Sequence, residues 1–463
     1  MSNTEPTIHV GILTSPTISF ILNGSFMASN GKTYTGKHNA KCQKNQVLFD
    51  KESIDEIIFE PQSEDASFDL INVVIGINFH WERKENQRFK GALKLIVDKK
   101  QLIAINHISV ENYLTSVISS EMSATASEEL LKAHAVISRS WLLNPIVKTH
   151  GNASQPVVGT GYDLPDTKNN DIDTHGVETH GRASLPESQR YIKWYERDAH
   201  TRFDVCADDH CQRYQGITRA STPAVVKAIE ATRGEVLMYE GQICDARFSK
   251  SCGGITEAFE NCWAPERHPY LIPVVDNGDV PIGFDLDLTD NMNAEHWIRN
   301  SPTAYCNTSD KKILAQVLNN YDQETTDFYR WKVEYSQAEL SELLARRSGI
   351  DFGQIVDLIP VKRGESGRII ELQIIGTKDT ITVGKELEIR KWLSNSHLYS
   401  SAFVVDASDV VDDIPQRFTL TGAGWGHGVG LCQIGAAVMG EKGFLYDDIL
   451  LHYFRGAELK RIY

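Results

Sequence analysis

Long hydrophobic runs are missing from this chain of 463 residues. The longest, LIPVV at 271–275 and VVIGI at 73–77, fall far short of the roughly 20 apolar residues that a membrane-spanning helix needs, so no transmembrane segment is expected. Positive charge is also scarce: 47 Lys and Arg stand against 62 Asp and Glu, a formal net charge of −15. Phosphate binding requires a basic surface, so this balance argues against a nucleic-acid partner. Cysteine is too sparse, at eight residues, for a disulfide scaffold. The opening MSNTEPTIHV has neither a basic segment nor an apolar stretch of the secretory type. A cytoplasmic protein and one whose export signal lies outside this numbering both fit that start. No internal repeat is apparent.

What is present suffices for a large folded protein. Apolar residues make up 41% of the chain, and the length exceeds what one core usually organises, which predicts two or three domains or one core with insertions. Residues 8 to 110 read as strands, among them HVGILT, SFILNGSF, VVIGINFHW and ALKLIVD, separated by Gly, Asn and Lys turns. From 111 the period changes. Leu131, Ala135, Ser138 and Leu142 follow helical spacing, and Thr125 with Glu128 fits a capping box, so a helix is predicted over about 126–143. Residues 144–190, rich in Asn, Asp, Thr, Gly and His, read as a surface insertion whose His175 and His180 are solvated. Further on, DKKILAQVLNNY, AELSELLARRSGI and DDILLHYF read as helices, RIIELQIIG and TITVG as strands. Without a regular βαβ rhythm this predicts an α+β fold: short helices and strands around a substrate groove, with a β-rich N-terminal region and insertions. The division is 1–105, 106–276, 277–420 and 421–463, the last completing the region that begins at 106.

Four stretches carry chemistry. HTRFDVCADDHC, residues 200–211, offers His200, Cys206, His210 and Cys211 beside three aspartates, Asp204, Asp208 and Asp209. Four such donors are the number a tetrahedral zinc takes, although the spacing is not a paired CxxC; a local disulfide or two unrelated thiols are the alternatives. If all four bind, no position stays open for water and the metal is structural; a catalytic zinc would need one of them absent. The other six cysteines, Cys42, Cys244, Cys252, Cys262, Cys306 and Cys432, permit disulfides by their even number without requiring any. In TSVISSEMSATASEELL, Glu121 follows an apolar stretch and precedes a helix. A glutamate acting as an acid near neutral pH needs its pKa lifted from about 4.3 to about 6, which costs about 2.3 kcal/mol. Trp141, Trp263 and Trp425 are candidates for the apolar walls that would impose it. In RFSKSCGGITEAFENCW, Cys252 reads as a small residue before a tight glycine turn, or as a nucleophile with His427 as its base. In TGAGWGHGVGLCQIGA, glycines at 422, 424, 426, 428 and 430 allow close approach of a backbone or a flat ligand. No Gly-Lys-Ser/Thr follows, so this is not a phosphate loop.

In this order, ENYLTSVISSEMSATASEELLKAHAVISRSWLL, FSKSCGGITEAFENCW and GWGHGVGLCQIGA resemble the stage II sporulation protein D family, also called the amidase enhancer family. The resemblance runs from about 88 to the C-terminus, with insertions near 150–190 and 277–325. It implies peptidoglycan chemistry in the cell envelope, outside the cytoplasmic membrane. Sporulation members are lytic transglycosylases that cleave glycan strands lacking stem peptides, using one glutamate that falls on Glu121 here. The resemblance further implies Arg139, Ser249, Ser251, Trp425, His427 and Gln433 as substrate-binding residues, and a structural zinc on His200, Cys206, His210 and Cys211. Glycan strands are the implied substrate, and a cell-wall amidase is the implied partner if the chain is a non-catalytic activator. Departures from the family pattern are Ser123 where proline usually follows Glu-Met, His134 and Trp141 where glutamine and tyrosine are common, and Cys252 where serine is usual.

Overall fold

A computed structural model describes residues 4–75, 83–123, 126–151, 189–195, 200–208, 210–218, 221–317 and 325–463. The fold is α+β with a β-rich N-terminal region. The strands predicted between 8 and 110 form one large sheet. Its path runs Val205–Cys206, Thr7–Ser15 (β1), Gln101–Ser109, Ala92–Asp98, Glu56–Pro61, Thr17–Ala28, Thr33–Gln43, Gln46–Phe49 and Glu52–Ile54, and Ser67–Ile75 with Arg83–Phe89 branches from Thr17–Ala28. Alternation drives it: Ile18, Phe20, Leu22, Phe26 and Ala28 are buried along one strand, as the period of two requires. The buried phase is kept between Leu22 and Phe26, although the pairing register shifts there by two residues and Gly24 takes φ +104. Phe20, Phe49 and Phe59 pack ring on ring beneath it, 5.2–6.0 Å apart. The end of the predicted VVIGINFHW strand, from 76 on, lies outside the described residues.

Two helices follow. The first, Val110–Glu121 (α1), buries Val110, Tyr113, Leu114, Val117 and Ile118 on one face, the stripe that packs a helix onto a core. It stops at Glu121 because Met122 turns to extended backbone, φ −109 and ψ 151. The second, Glu128–Gly151 (α2), is buried all round from Ala133 to Asn144, which makes it the central helix of the region. Its start is capped by Ser127 Oγ, which accepts from the Leu130 N–H at 3.4 Å, whereas the predicted cap Thr125 lies outside the described residues. It also runs past 143, so the stretch read as an insertion begins in helix. Most of that stretch, with His175 and His180, lies outside the described residues.

The C-terminal half adds two smaller sheets, Ile355–Arg363, Ile369–Gly376 and Thr380–Gly384 with Arg190–Ile192, and Arg330–Ser336, Arg417–Ala423 and Phe403–Ser408. They share a core that includes Trp331, Leu340, Phe352, Leu372, Trp392 and Phe418. The predicted helix at AELSELLARRSGI is Gln337–Ser348, opened by a Ser336–Glu339 capping box and closed by Gly349 at φ +77. Strand Arg417–Ala423 runs across the 420/421 division, so the first residues of the glycine-rich stretch belong to the sheet before it. The other predicted helices appear as Lys311–Val317 and Tyr446–Tyr453. Among the described residues no helix is long and apolar enough to cross a membrane. All eight cysteines are free thiols, so the disulfides that their number permitted are not formed.

Candidate active site and metal centre

The short strand Val205–Cys206 pairs in parallel with β1, Val10 opposite Val205 and Gly11 opposite Cys206. Asp204 N–H donates to the His9 carbonyl at 2.9 Å, and Ala207 N–H to that of Gly11 at 3.0 Å. The chain then turns back through a Cys211 N–H to Asp208 carbonyl bond of 3.0 Å. These bonds bring one ligand atom from each of His200, Cys206, His210 and Cys211 within 4.8 Å of the others. Cys211 Sγ lies 3.4 Å from His200 Nε2 and 3.5 Å from His210 Nδ1, and Cys206 Sγ 4.0 Å from His210 Nδ1. Zinc bonds of about 2.3 Å to sulfur and 2.0–2.1 Å to nitrogen at tetrahedral angles give a sulfur–nitrogen edge of about 3.5 Å. The donor set and its spacing therefore fit that ion. The Cys206 thiol is held well below its usual range, first by the Cys211 thiol and then by His200 and His210. Asp204 is used otherwise, its carboxylate accepting the His9 N–H at 2.8 Å, and Asp209 lies outside the described residues.

This loop reaches the carboxylate singled out in the sequence. Two residues past Cys211, the Arg213 N–H donates to Glu121 Oε1 at 3.4 Å. The Glu121 side chain, at the last turn of α1, is partly exposed. The backbone after it is braced from the helix Lys311–Val317. Ser123 N–H donates to the Gln316 carbonyl at 3.0 Å, and Ser127 N–H to Gln316 Oε1 at 3.0 Å, while Gln316 Nε2 donates to Glu441 at 2.5 Å. Lys250, partly exposed, donates to the Val317 carbonyl at 2.5 Å. A single carboxylate thus stands on a helix end fixed from two sides, beside the metal-type loop.

The six predicted substrate residues divide. Arg139 is fully buried; its Nε donates to Glu111 Oε1 at 3.0 Å, Nη2 to Oε2 at 2.6 Å and Nη1 to the Glu235 carbonyl at 2.9 Å. With every face of the guanidinium inside the core, it ties α2 to α1 and cannot meet a sugar. Gln433 is also buried, its amide donating to His134 Nε2 at 3.0 Å, which leaves His134 Nδ1–H to donate to Ser138 Oγ at 3.2 Å. Burial lowers His134 to about 3, so this chain is neutral. Ser249 and Ser251 are buried, and their hydroxyls have no hydrogen-bond partner among the described residues. Arg139 and Gln433 are corrections, their polar groups being taken up inside the core; Ser249 and Ser251 face inward, with Lys250 between them on the open side.

Trp425 remains partly exposed, 4.3 Å from the Tyr399 ring and 4.7 Å from Phe328. His427 accepts the Val429 N–H through Nδ1 at 3.0 Å and lies against Trp263, beside a cavity of about 80 Å³ lined by Cys262, Trp263, Glu386 and Arg390. This space is roomy enough for several waters. Of the predicted tryptophan walls, Trp263 packs on His427 and Arg247, and Trp141 is buried on α2. Cys252 is buried against Cys306 and Cys432, its thiol pushed well above the usual value by burial. A nucleophile needs thiolate and access, so the cysteine-hydrolase alternative has no footing.

Residues 98–239 match the family profile described as Stage II sporulation protein, and residues 257–430 match one described as Domain of unknown function (DUF8618). The chain is similar to the Amidase enhancer of Bacillus subtilis (strain 168), 28% identical over 241 residues, which cover 50% of this chain and 32% of that protein. It is also similar to the Stage II sporulation protein D of Bacillus amyloliquefaciens, 25% identical over 77% of this chain and 75% of the relative, and to that of Bacillus subtilis (strain 168), 22% identical over 77% and 76%.

Proposed function

We propose, from the premise that the chain belongs to the stage II sporulation protein D and amidase enhancer family, that it is a peptidoglycan lytic transglycosylase of the cell envelope. Its substrate would be glycan strands denuded of stem peptides, cut at the bond between N-acetylmuramic acid and N-acetylglucosamine. The observation that carries the reading is the partly exposed Glu121 carboxyl, held at a helix end by the Arg213 N–H. Ordinary glycosidases need two carboxylates, because water must be activated or a covalent intermediate formed. A transglycosylase manages with one. Protonated Glu121 gives its proton to the glycosidic oxygen as the C1–O bond breaks. The resulting carboxylate takes the proton from the substrate's own 6-hydroxyl, whose oxygen closes on C1 as a 1,6-anhydro ring. No water is consumed and Glu121 ends protonated.

A structural zinc on His200, Cys206, His210 and Cys211 belongs to this reading. With four protein ligands it would keep no open position, and its part would be to fix the loop from which Arg213 reaches Glu121. The test of the activity is mass spectrometry of denuded glycan incubated with wild type and Glu121→Gln. New anhydro ends with wild type and a loss of about 10²–10⁴-fold in the variant, at unchanged thermal stability, are expected. Equal yields from both would remove Glu121 from the role.

The likeness to the amidase enhancer over 241 residues favours a second reading, a non-catalytic peptidoglycan-binding activator of a cell-wall amidase. It requires glycan pull-down without anhydro ends, and faster amidase turnover on adding the protein.

A further inference from the structure

A second set of ligand-type side chains lies in the core, away from the metal-type loop and unused by the chemistry above. Cys252, Asp276, Cys306 and Cys432 each offer one atom within 4.8 Å of the others, and all four are buried. They come from separate stretches. Cys252 follows the strand Phe248–Ser249, Cys432 ends the strand Leu431–Cys432 paired with it, Asp276 lies in a loop, and Cys306 stands in the insertion after the helix Asn291–Asn300.

From this geometry we propose that the tetrad is a second, closed metal centre that takes zinc as a three-thiolate, one-carboxylate site. The Cys252 and Cys306 sulfurs are 3.7 Å apart. Zinc–sulfur bonds of about 2.3 Å at tetrahedral angles set a sulfur–sulfur edge of about 3.8 Å, whereas a disulfide needs about 2.05 Å. Cys252 N–H donates to Cys432 Sγ at 3.2 Å, a bond that orients a thiolate. The carboxylate is fixed in the manner of a ligand supported from behind: Tyr453 OH donates to Asp276 Oδ1 at 2.6 Å and Cys306 N–H to Oδ2 at 2.8 Å.

Charge supports the same reading. Three thiolates, one carboxylate and a divalent cation leave a net charge of −2 in a dry site. One partly buried guanidinium, Arg330, and one fully buried, Arg368, stand next to it. Arg330 donates only to carbonyls, those of Gly253, Tyr329, Trp297 and Ile298, and among the described residues it has no carboxylate partner. Arg368 donates to the Cys252 and Gly426 carbonyls and reaches Glu257 only through Ser366 Oγ. A cation drawn even partly out of water without a counter-charge is costly, and an anionic metal centre beside the Cys252–Gly253 backbone supplies what Arg330 lacks. The ion would pin the insertion at Cys306 to the paired strands, one of which leads into Lys250 and the other into Gln433.

Metal content of the full chain purified without chelator tests this. Two zinc ions per chain are expected for wild type, one for Cys206→Ser/Cys211→Ser and one for Cys306→Ser/Cys432→Ser. Should the core variant fail to fold, X-ray absorption of wild type decides alone. Two sites with three and two sulfurs average about 2.5 sulfurs per zinc, and the outer site alone gives about 2. One zinc per chain that vanishes with the Cys206 and Cys211 substitutions overturns the proposal, as does a Cys252–Cys306 disulfide in peptide maps of the thiol-blocked protein.

Discussion

Replacing Arg139 by methionine separates a structural role for this residue from a substrate-binding one. The change removes the guanidinium and leaves Glu111 inside the protein, with the Gly234 N–H at 3.1 Å and the Tyr463 hydroxyl at 2.6 Å as its remaining donors. Breaking a buried pair from one side costs about 3–5 kcal/mol, because the surviving charge is uncompensated. The two donors that stay with Glu111 put the loss toward the lower end, about 3 kcal/mol, or about two powers of ten in the folded-to-unfolded ratio. Urea denaturation followed by fluorescence and circular dichroism reads it. The double variant Glu111→Gln/Arg139→Met removes the stranded charge and should recover most of the loss. Glycan cleavage by the Arg139 variant, measured well below its unfolding midpoint, should stay within a few-fold of wild type. Unchanged stability with cleavage abolished would refute the reasoning, because the guanidinium would then be serving the substrate.

Stability should fall as pH is lowered from about 6.5 toward 4. Burial lowers His107, His397 and His452 to about 4 and His134 to about 3. Each binds a proton more readily in the unfolded chain, near the ordinary 6.5, so stability is full above that value and is lost as pH falls toward the folded values. Urea midpoints at pH 7.5, 6 and 5 should decline in that order, and His134→Gln should flatten part of the slope; identical midpoints would contradict it. Gln316→Ala removes the one side-chain bond to the loop after Glu121, from the Ser127 N–H, together with the Glu441 anchor, and leaves the main-chain bond to Ser123. Cleavage should drop by up to about 10²-fold through kcat with KM little changed, and an unaffected kcat would show that the brace is dispensable.

Periodicity carried most of the fold, and its failures are local. The alternation at 18–28 was readable because one face is buried while the other is wet, whereas α1, for all its apolar stripe, was read only as an apolar stretch before a helix. The capping box at Ser336 and Glu339 is likewise visible in the letters themselves. At Arg139 the resemblance misled: the family pattern implies a substrate contact there, and only the fold brings Glu111 opposite it from 28 positions away. Ser249 and Ser251 came from the family resemblance, and strand alternation, a signal present in the letters, places Lys250 on the face opposite to them. The metal-type loop was legible because its donors are close in the chain. Cys252, Asp276, Cys306 and Cys432 span 180 positions, and no spacing rule announces them.

The same contrast bears on how the site is built. Glu121 is a single side chain, but what holds it comes from Arg213, and what holds the next turn of chain comes from Gln316, itself anchored on Glu441. A carboxyl that serves first as acid and then as base must keep one position relative to two substrate oxygens, and misplacement by about 1 Å can cost about 10²-fold. Neither α1 nor the loop after it could supply that alone, since a helix terminus frays unless its end is tied. On the proposed chemistry, the insertion carrying Lys311–Val317 would therefore belong to the catalytic apparatus in the physical sense, although it touches no reacting atom. A zinc on the loop before Arg213 and a second one joining Cys306 to the strands at Lys250 and Gln433 would brace opposite supports of the same carboxylate. Chelation would then reduce cleavage by loosening geometry, and activity and thermal stability would decline together.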